Sequence, residues 1–140
     1  MSSSILPSPS FEPGWLYSIV ETPDHPDFSL LYRRLGLRQQ RINSMRRAMA
    51  GIKRQPPAFI VAEFLYGFSN NYAGINISNL DVMLFSLQRY APDARVVVLV
   101  TPTQRRYVDQ LNAIFPLHAV LPQPITEPQL ARVLGGSGGD

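Results

Sequence analysis

Pro56-Pro57-Ala58-Phe59-Ile60-Val61-Ala62-Glu63-Phe64 is the stretch whose reading decides the fold. Two consecutive prolines remove two amide donors and fix φ, so a helix arriving from the amino-terminal side stops there. Residues 58–64 are then enriched in β-formers and carry no polar alternation. That is the pattern of a strand covered on both faces, as in a parallel sheet. Val96-Val97-Val98-Leu99-Val100 is a second run of the same kind. Glu63 is the charged residue of the first run, and it stands near the carboxyl end.

Working outward, the pattern predicts alternating elements. Ser44 is placed to cap a helix in which Met45, Met49 and Ile52 share a face, ended by the proline pair. Residues 37–42 read either as an edge strand or as further helix. Before them, Phe28, Leu31, Tyr32 and Leu35 recur at helical spacing, and Gly36 is the stop. The turn Thr22-Pro23-Asp24-His25-Pro26-Asp27 precedes that helix, with Asp24 or Asp27 as its cap. Residues 15–20 form the first strand.

Downstream, 65–77 is a long loop. Ser78-Asn79-Leu80-Asp81 has a capping-box shape and opens a helix with Leu80, Leu84 and Leu87 on one side. Pro92-Asp93 turns into the strand at 96–100. Residues 103–114 are predicted helical and end at Pro116, and 119–121 give the last strand. Thr126 caps a short helix through Leu134. Strand and helix in alternation imply a five-stranded parallel sheet with helices on both faces. The domain spans 15–134, with a flexible Ser/Pro-rich segment at 1–14 and a Gly-rich tail at 135–140. In such sheets the loops after the strands build the site. The residues to watch are therefore Glu21, Thr22, Glu63, Thr101 and Gln123.

Composition narrows the function classes. At 140 residues, 45% apolar and 16% charged, the chain fits one globular domain. No apolar run approaches the length of a membrane span, and the amino-terminal residues lack the basic and apolar regions of a secretory signal. A cytoplasmic protein with no membrane partner is expected. With no cysteine, disulfides, thiolate metal sites and thiol nucleophiles are excluded.

Eight of the 13 basic residues fall in one segment: Arg33, Arg34, Arg38, Arg41, Arg46, Arg47, Lys53 and Arg54. No acid occurs between Phe28 and Ala62. This block reads first as solvated helix surface and second as a patch for phosphates or an acidic partner. Base-stacking aromatics are not interleaved with it, so nucleic acid is a minor alternative. Asp24-His25-Pro26-Asp27 is explained by turn and cap rather than by a metal. His118 has no paired acid in its segment. No catalytic constellation, cofactor or metal site is expected.

The chain resembles a bacterial response-regulator receiver domain, the phospho-acceptor module of two-component signal transduction, over about residues 15–134. IKRQPPAFIVAEF (52–64) is similar to the helix, turn and third strand that present the acceptor Asp. VVVLVT (96–101) is similar to the fourth strand with its phosphate-binding Thr or Ser. HAVLPQP (118–124) is similar to the fifth strand, which ends in Lys-Pro, and LYSIVET (16–22) to the first, which ends in an acidic pair. The resemblance implies a flavodoxin-like, doubly wound α/β fold.

It also implies a degenerate phospho-acceptor pocket, that of a pseudo-receiver. Glu63 takes the acceptor position, where one extra methylene misplaces the nucleophile. Glu21 keeps one acid of the magnesium pair, while Thr22 replaces the other. Gln123 stands in place of the Lys that would neutralise the phosphoryl oxygens. Thr101 is retained, and Val120 replaces the switch aromatic. Loss of the switch is preferred to permanent mimicry, because no cation is expected to hold Glu63.

The function implied is phosphorylation-independent signalling through contact with another protein or with a second copy. Tyr66, Phe68, Asn70, Asn71 and Tyr72 form a candidate partner-binding loop. Family members dimerise through the region matching about 103–134. The alternative is small-ligand or nucleic-acid binding through the basic 33–54 segment.

Overall fold

The strand at Phe59–Glu63 lies at the centre of the sheet, as its uniform burial requires. The structure is a computed structural model and describes residues 14–20, 25–65 and 79–135. Within them run β1 (Trp15–Ile19), α1 (Ser29–Arg34), β2 (Arg38–Arg41), α2 (Met45–Arg54) and β3 (Phe59–Glu63). There follow α3 (Asp81–Tyr90), β4 (Arg95–Val100), α4 (Arg105–Val108), β5 (Ala119–Pro122) and α5 (Glu127–Gly135). All strands are parallel, in the order β2-β1-β3-β4-β5. The doubly wound five-stranded α/β sheet expected from the sequence is the one observed.

Alternation along the strands assigns each side chain to a layer. Tyr17, Ile19, Ile60, Ala62, Val96 and Val98 pack beneath α2 and α3, against Ala48, Ile52, Leu84 and Leu87. Leu16, Phe59, Val61, Val97 and Leu99 face the other way, against Leu31 and Tyr32 of α1 and Leu130 and Leu134 of α5. Two covered faces explain why β3 and β4 read as unbroken apolar runs.

β2 resolves the ambiguity at 37–42 in favour of an edge strand. Its sequence, Arg-Gln-Gln-Arg, has three exposed residues out of four, and it pairs with β1 alone. Charged edge residues also discourage pairing with a further chain. α1 ends as its sequence indicates. Gly36 adopts φ 81°. Its N–H donates to the Arg33 carbonyl at 2.9 Å, and the Leu37 N–H reaches the Tyr32 carbonyl at 2.9 Å. That pair of bonds satisfies two terminal carbonyls and needs the left-handed conformation glycine tolerates.

Several local expectations are corrected. α2 buries Ala48, Gly51 and Ile52, with Met45 at the rim and Met49 half-buried, so the predicted face of Met45, Met49 and Ile52 is the one turned to the core. The Ser44 hydroxyl does cap α2, accepting from the Arg47 N–H at 3.2 Å. Asp27 accepts from the Ser29 N–H at 2.9 Å, but the residue at the α1 cap is Phe28. Asp24 lies outside the described residues.

The box expected at 78–81 rests on Ser78, which lies outside the described residues; α3 begins at Asp81 with Leu80 at its cap. The 103–114 helix is one α turn, α4, between 3-10 segments at Pro102–Gln104 and Asp109–Ala113. A reciprocal box does form at α5. There the Gln129 side chain accepts from the Thr126 N–H at 2.9 Å, and the Gln129 N–H approaches the Thr126 hydroxyl at 3.4 Å.

Gly51 is required by a close approach. A Cβ there would meet Tyr17 Oη at 3.0 Å and its Cε2 and Cζ at 3.2 Å. That ring cannot yield easily, since Tyr17 is buried and its hydroxyl donates to the Gln55 carbonyl. Gly51→Ala would gain about 1 kcal/mol of helix propensity and lose about 1–3 kcal/mol to overpacking. A net loss of about 1 kcal/mol is expected, read from the urea midpoint. No helix among the described residues is long and apolar enough to cross a membrane.

Candidate functional site

Strand alternation carries three of the predicted site residues to one end and one face of the sheet. Glu63 continues the series Phe59, Val61; Thr101 continues Val97, Leu99; and Gln123 continues Ala119, Leu121. All three leave the carboxyl ends of adjacent parallel strands, β3, β4 and β5. Glu63 is only 3% exposed, which is unusual for a carboxylate. The Gln123 amide approaches it, with Nε2 at 3.4 Å from Glu63 Oε2, a long contact. The Thr101 hydroxyl is exposed and lies 3.3 Å from that of Thr103. Val120 is half-buried and packs on the α2/α3 side of the sheet.

Glu21 and Thr22 lie outside the described residues. So does the partner-loop candidate of Tyr66, Phe68, Asn70, Asn71 and Tyr72. What the structure does show is how that loop's two ends are fixed. Asn79 Oδ1 accepts from the Leu65 N–H at 2.8 Å, and Asn79 Nδ2 donates to the Glu63 carbonyl at 2.9 Å. The Asn79 N–H also meets the Leu65 carbonyl at 3.2 Å. One carboxamide thus ties the end of β3 to the start of α3. The sequence reading treated Asn79 as an interior member of a capping box; its position across a long loop gave no local signal of this role.

His25, part of the turn before α1, also belongs to this end of the sheet. Burial holds its pKa below the usual imidazole value, with the Glu63 carboxylate opposing that effect and Arg41 adding to it. Glu63 and His25 therefore share a local field at the sheet end. Among the described residues no group of three or more His, Asp and Glu is placed to hold a metal ion.

The basic block is dispersed rather than gathered into one patch. Arg34 pairs with Glu127 at 2.6 Å, and Arg41 lies 3.4 Å from Asp27. Arg38 sits over the Trp15 ring at 5.6 Å and Lys53 over the Tyr90 ring at 5.8 Å. Arg33 and Arg34 close α1, Arg46 and Arg47 open α2, and Lys53 and Arg54 close it. The cations at the carboxyl ends are favoured by the helix dipole.

No family model matches the chain, and no curated protein matches it in sequence. Solved structures do. A sensor protein from Polaromonas sp. JS666 superposes with TM-score 0.64 over 88% of this chain and 93% of its own, at 16% identity. The receiver domain of a sensor histidine kinase from Pseudomonas aeruginosa, solved with magnesium coordinated in its active-site cleft, gives 0.63 over 87% and 94%, at 14% identity. A response regulator receiver domain protein from Clostridium thermocellum gives 0.65 over 88% and 91%, at 12% identity. The chain has the receiver fold. In that fold Glu63, Thr101 and Gln123 stand at the carboxyl ends of the third, fourth and fifth strands, where the sequence resemblance places the acceptor, the hydroxyl and the ammonium.

Proposed function

We propose that this receiver-fold chain is a regulatory module that acts by binding another protein, or a second copy of itself, with no phosphorylation step. The observation that supports the reading is the environment of Glu63: a buried carboxylate on β3 approached by a neutral carboxamide from the end of β5. Aspartyl phosphorylation needs a short nucleophile, a metal and a cation for the phosphoryl oxygens. Here the matching positions carry Glu63, the pair Glu21 and Thr22, and Gln123. The Pseudomonas receiver holds magnesium in its cleft; the residues matched to that metal's acids here include a hydroxyl in place of one carboxylate.

Contact is proposed through the 66–72 loop and through the 103–134 face. In that face α5, Glu127–Gly135, is the longest helix, since α4 spans a single turn. The test is Glu63→Gln, which removes the charge and keeps the shape. Affinity for partners captured from the native cell, and self-association measured by sedimentation, are expected to stay within about twofold, since no partner contact runs through this buried group. If the carboxylate were instead a permanent phosphate mimic, binding would collapse in that variant.

A further inference from the structure

On the other side of β1 from Glu63, between the ends of β1 and β2, the sheet opens into a cavity of about 340 Å³. Its polar lining is Ser18, His25, Arg41, Asn43 and Arg47, with Val20 and Ile42 as apolar wall. From the geometry we infer that this cavity, whose described lining does not include Glu63, binds a small phosphomonoester.

The described lining is rich in donors: Arg41, Arg47, Asn43, His25 and Ser18 line it, and no carboxylate is among the described residues that do. The two guanidiniums disfavour a metal cation and match an oxyanion with several free oxygens. A carboxylate ligand would present only two oxygens and leave donors unmatched. The volume exceeds that of the oxyanion alone, leaving room against Val20 and Ile42 for a small ester group.

Ser18 sits on β1 between two neighbouring strands, is 8% exposed, and brings a hydroxyl to the cavity wall. Arg46 and Arg47 stand in the first turn of α2 with no acid in that turn. Cations there oppose the helix dipole, and an anion in the cavity reverses that penalty at Arg47. Arg41 is held only loosely, at 3.4 Å from Asp27 with both side chains about two-thirds exposed at 69% and 68%. It is free to exchange that carboxylate for a phosphate.

The inference stands apart from the proposed loss of phosphorylation, because it uses none of Glu63, Thr101 or Gln123. It is tested by titrating the isotope-labelled full chain with glycerol 3-phosphate and following amide and guanidinium resonances. Saturable shifts are expected at Ser18, Asn43 and Arg47, while glycerol at the same concentrations moves none of them. Arg47→Ala and Arg41→Ala should each weaken binding by about tenfold or more, the worth of a charge-assisted hydrogen bond. Arg54→Ala, with the same charge change at the far end of α2, should stay within about twofold. The site is overturned if no saturation is reached, or if Arg54→Ala weakens binding as much as Arg47→Ala. It is equally overturned if a thymidine oligonucleotide binds more tightly through Arg33 and Arg54, which would make the surface a nucleic-acid contact.

Discussion

Incubation with acetyl phosphate and magnesium is expected to leave the chain at its unmodified mass. Transfer to a carboxylate needs an in-line approach of about 3–3.5 Å between reacting atoms, and the longer Glu63 side chain carries its oxygens past that position. Loss of one preorganised charge at such a site costs about 10²–10³ in rate. Thr22 in place of an acid and Gln123 in place of an ammonium remove two more such groups. The combined loss puts labelling below detection. The reverse experiment is sharper: Thr22→Asp, Glu63→Asp and Gln123→Lys made together should restore labelling at residue 63, since residues 63 and 123 already stand at the carboxyl ends of β3 and β5, on either side of β4. Stoichiometric labelling of the unaltered chain, detected by intact mass, would refute the argument.

Asn79→Ala is expected to lower folding stability by about 2–4 kcal/mol, from two part-buried hydrogen bonds at about 1–2 kcal/mol each. Against a total of about 5–15 kcal/mol for a domain, that is a large share. The change leaves the Leu65 N–H without its side-chain acceptor and takes one donor from the Glu63 carbonyl. The end of β3, and with it the carboxylate, then loses its tether to α3. Asn79→Asp keeps the acceptor and loses the donor, so it should fall between alanine and the native residue. Urea unfolding of the three proteins gives the order; an Asn79→Ala loss under about 0.5 kcal/mol would show that Asn79 does not hold the strand end.

The fold was legible because its central strands are covered on both faces. β3 and β4 could not be mistaken for amphipathic surface, and the proline pair, Gly36, Ser44 and Thr126 marked boundaries through local chemistry. Less was legible where tertiary contacts override local preference. Gly51 of α2 rests on Tyr17, a contact across 34 residues that periodicity cannot register. The 102–113 region carries helical spacing yet winds partly as 3-10.

At the site, the positions of Glu63, Thr101 and Gln123 followed from strand order and alternation. The role of Asn79 did not, since it joins groups on either side of a loop. Neither did the cavity at Ser18, Arg41, Asn43 and Arg47, whose members come from two strand ends and a helix start. In sequence those two arginines were one part of a uniform basic block. In the structure they line the cavity, whereas Arg34 pairs with Glu127 and Arg38 and Lys53 lie over aromatic rings.

The central claim is that the crevice at Glu63 takes up neither divalent metal nor a phosphoryl group. Fluorine NMR of the native chain with magnesium and beryllofluoride measures this directly. Only the free beryllofluoride signals are expected, with the amides of Glu63, Thr101 and Gln123 unmoved; a bound fluorine signal that saturates at one equivalent, with shifts at those three residues, would contradict it.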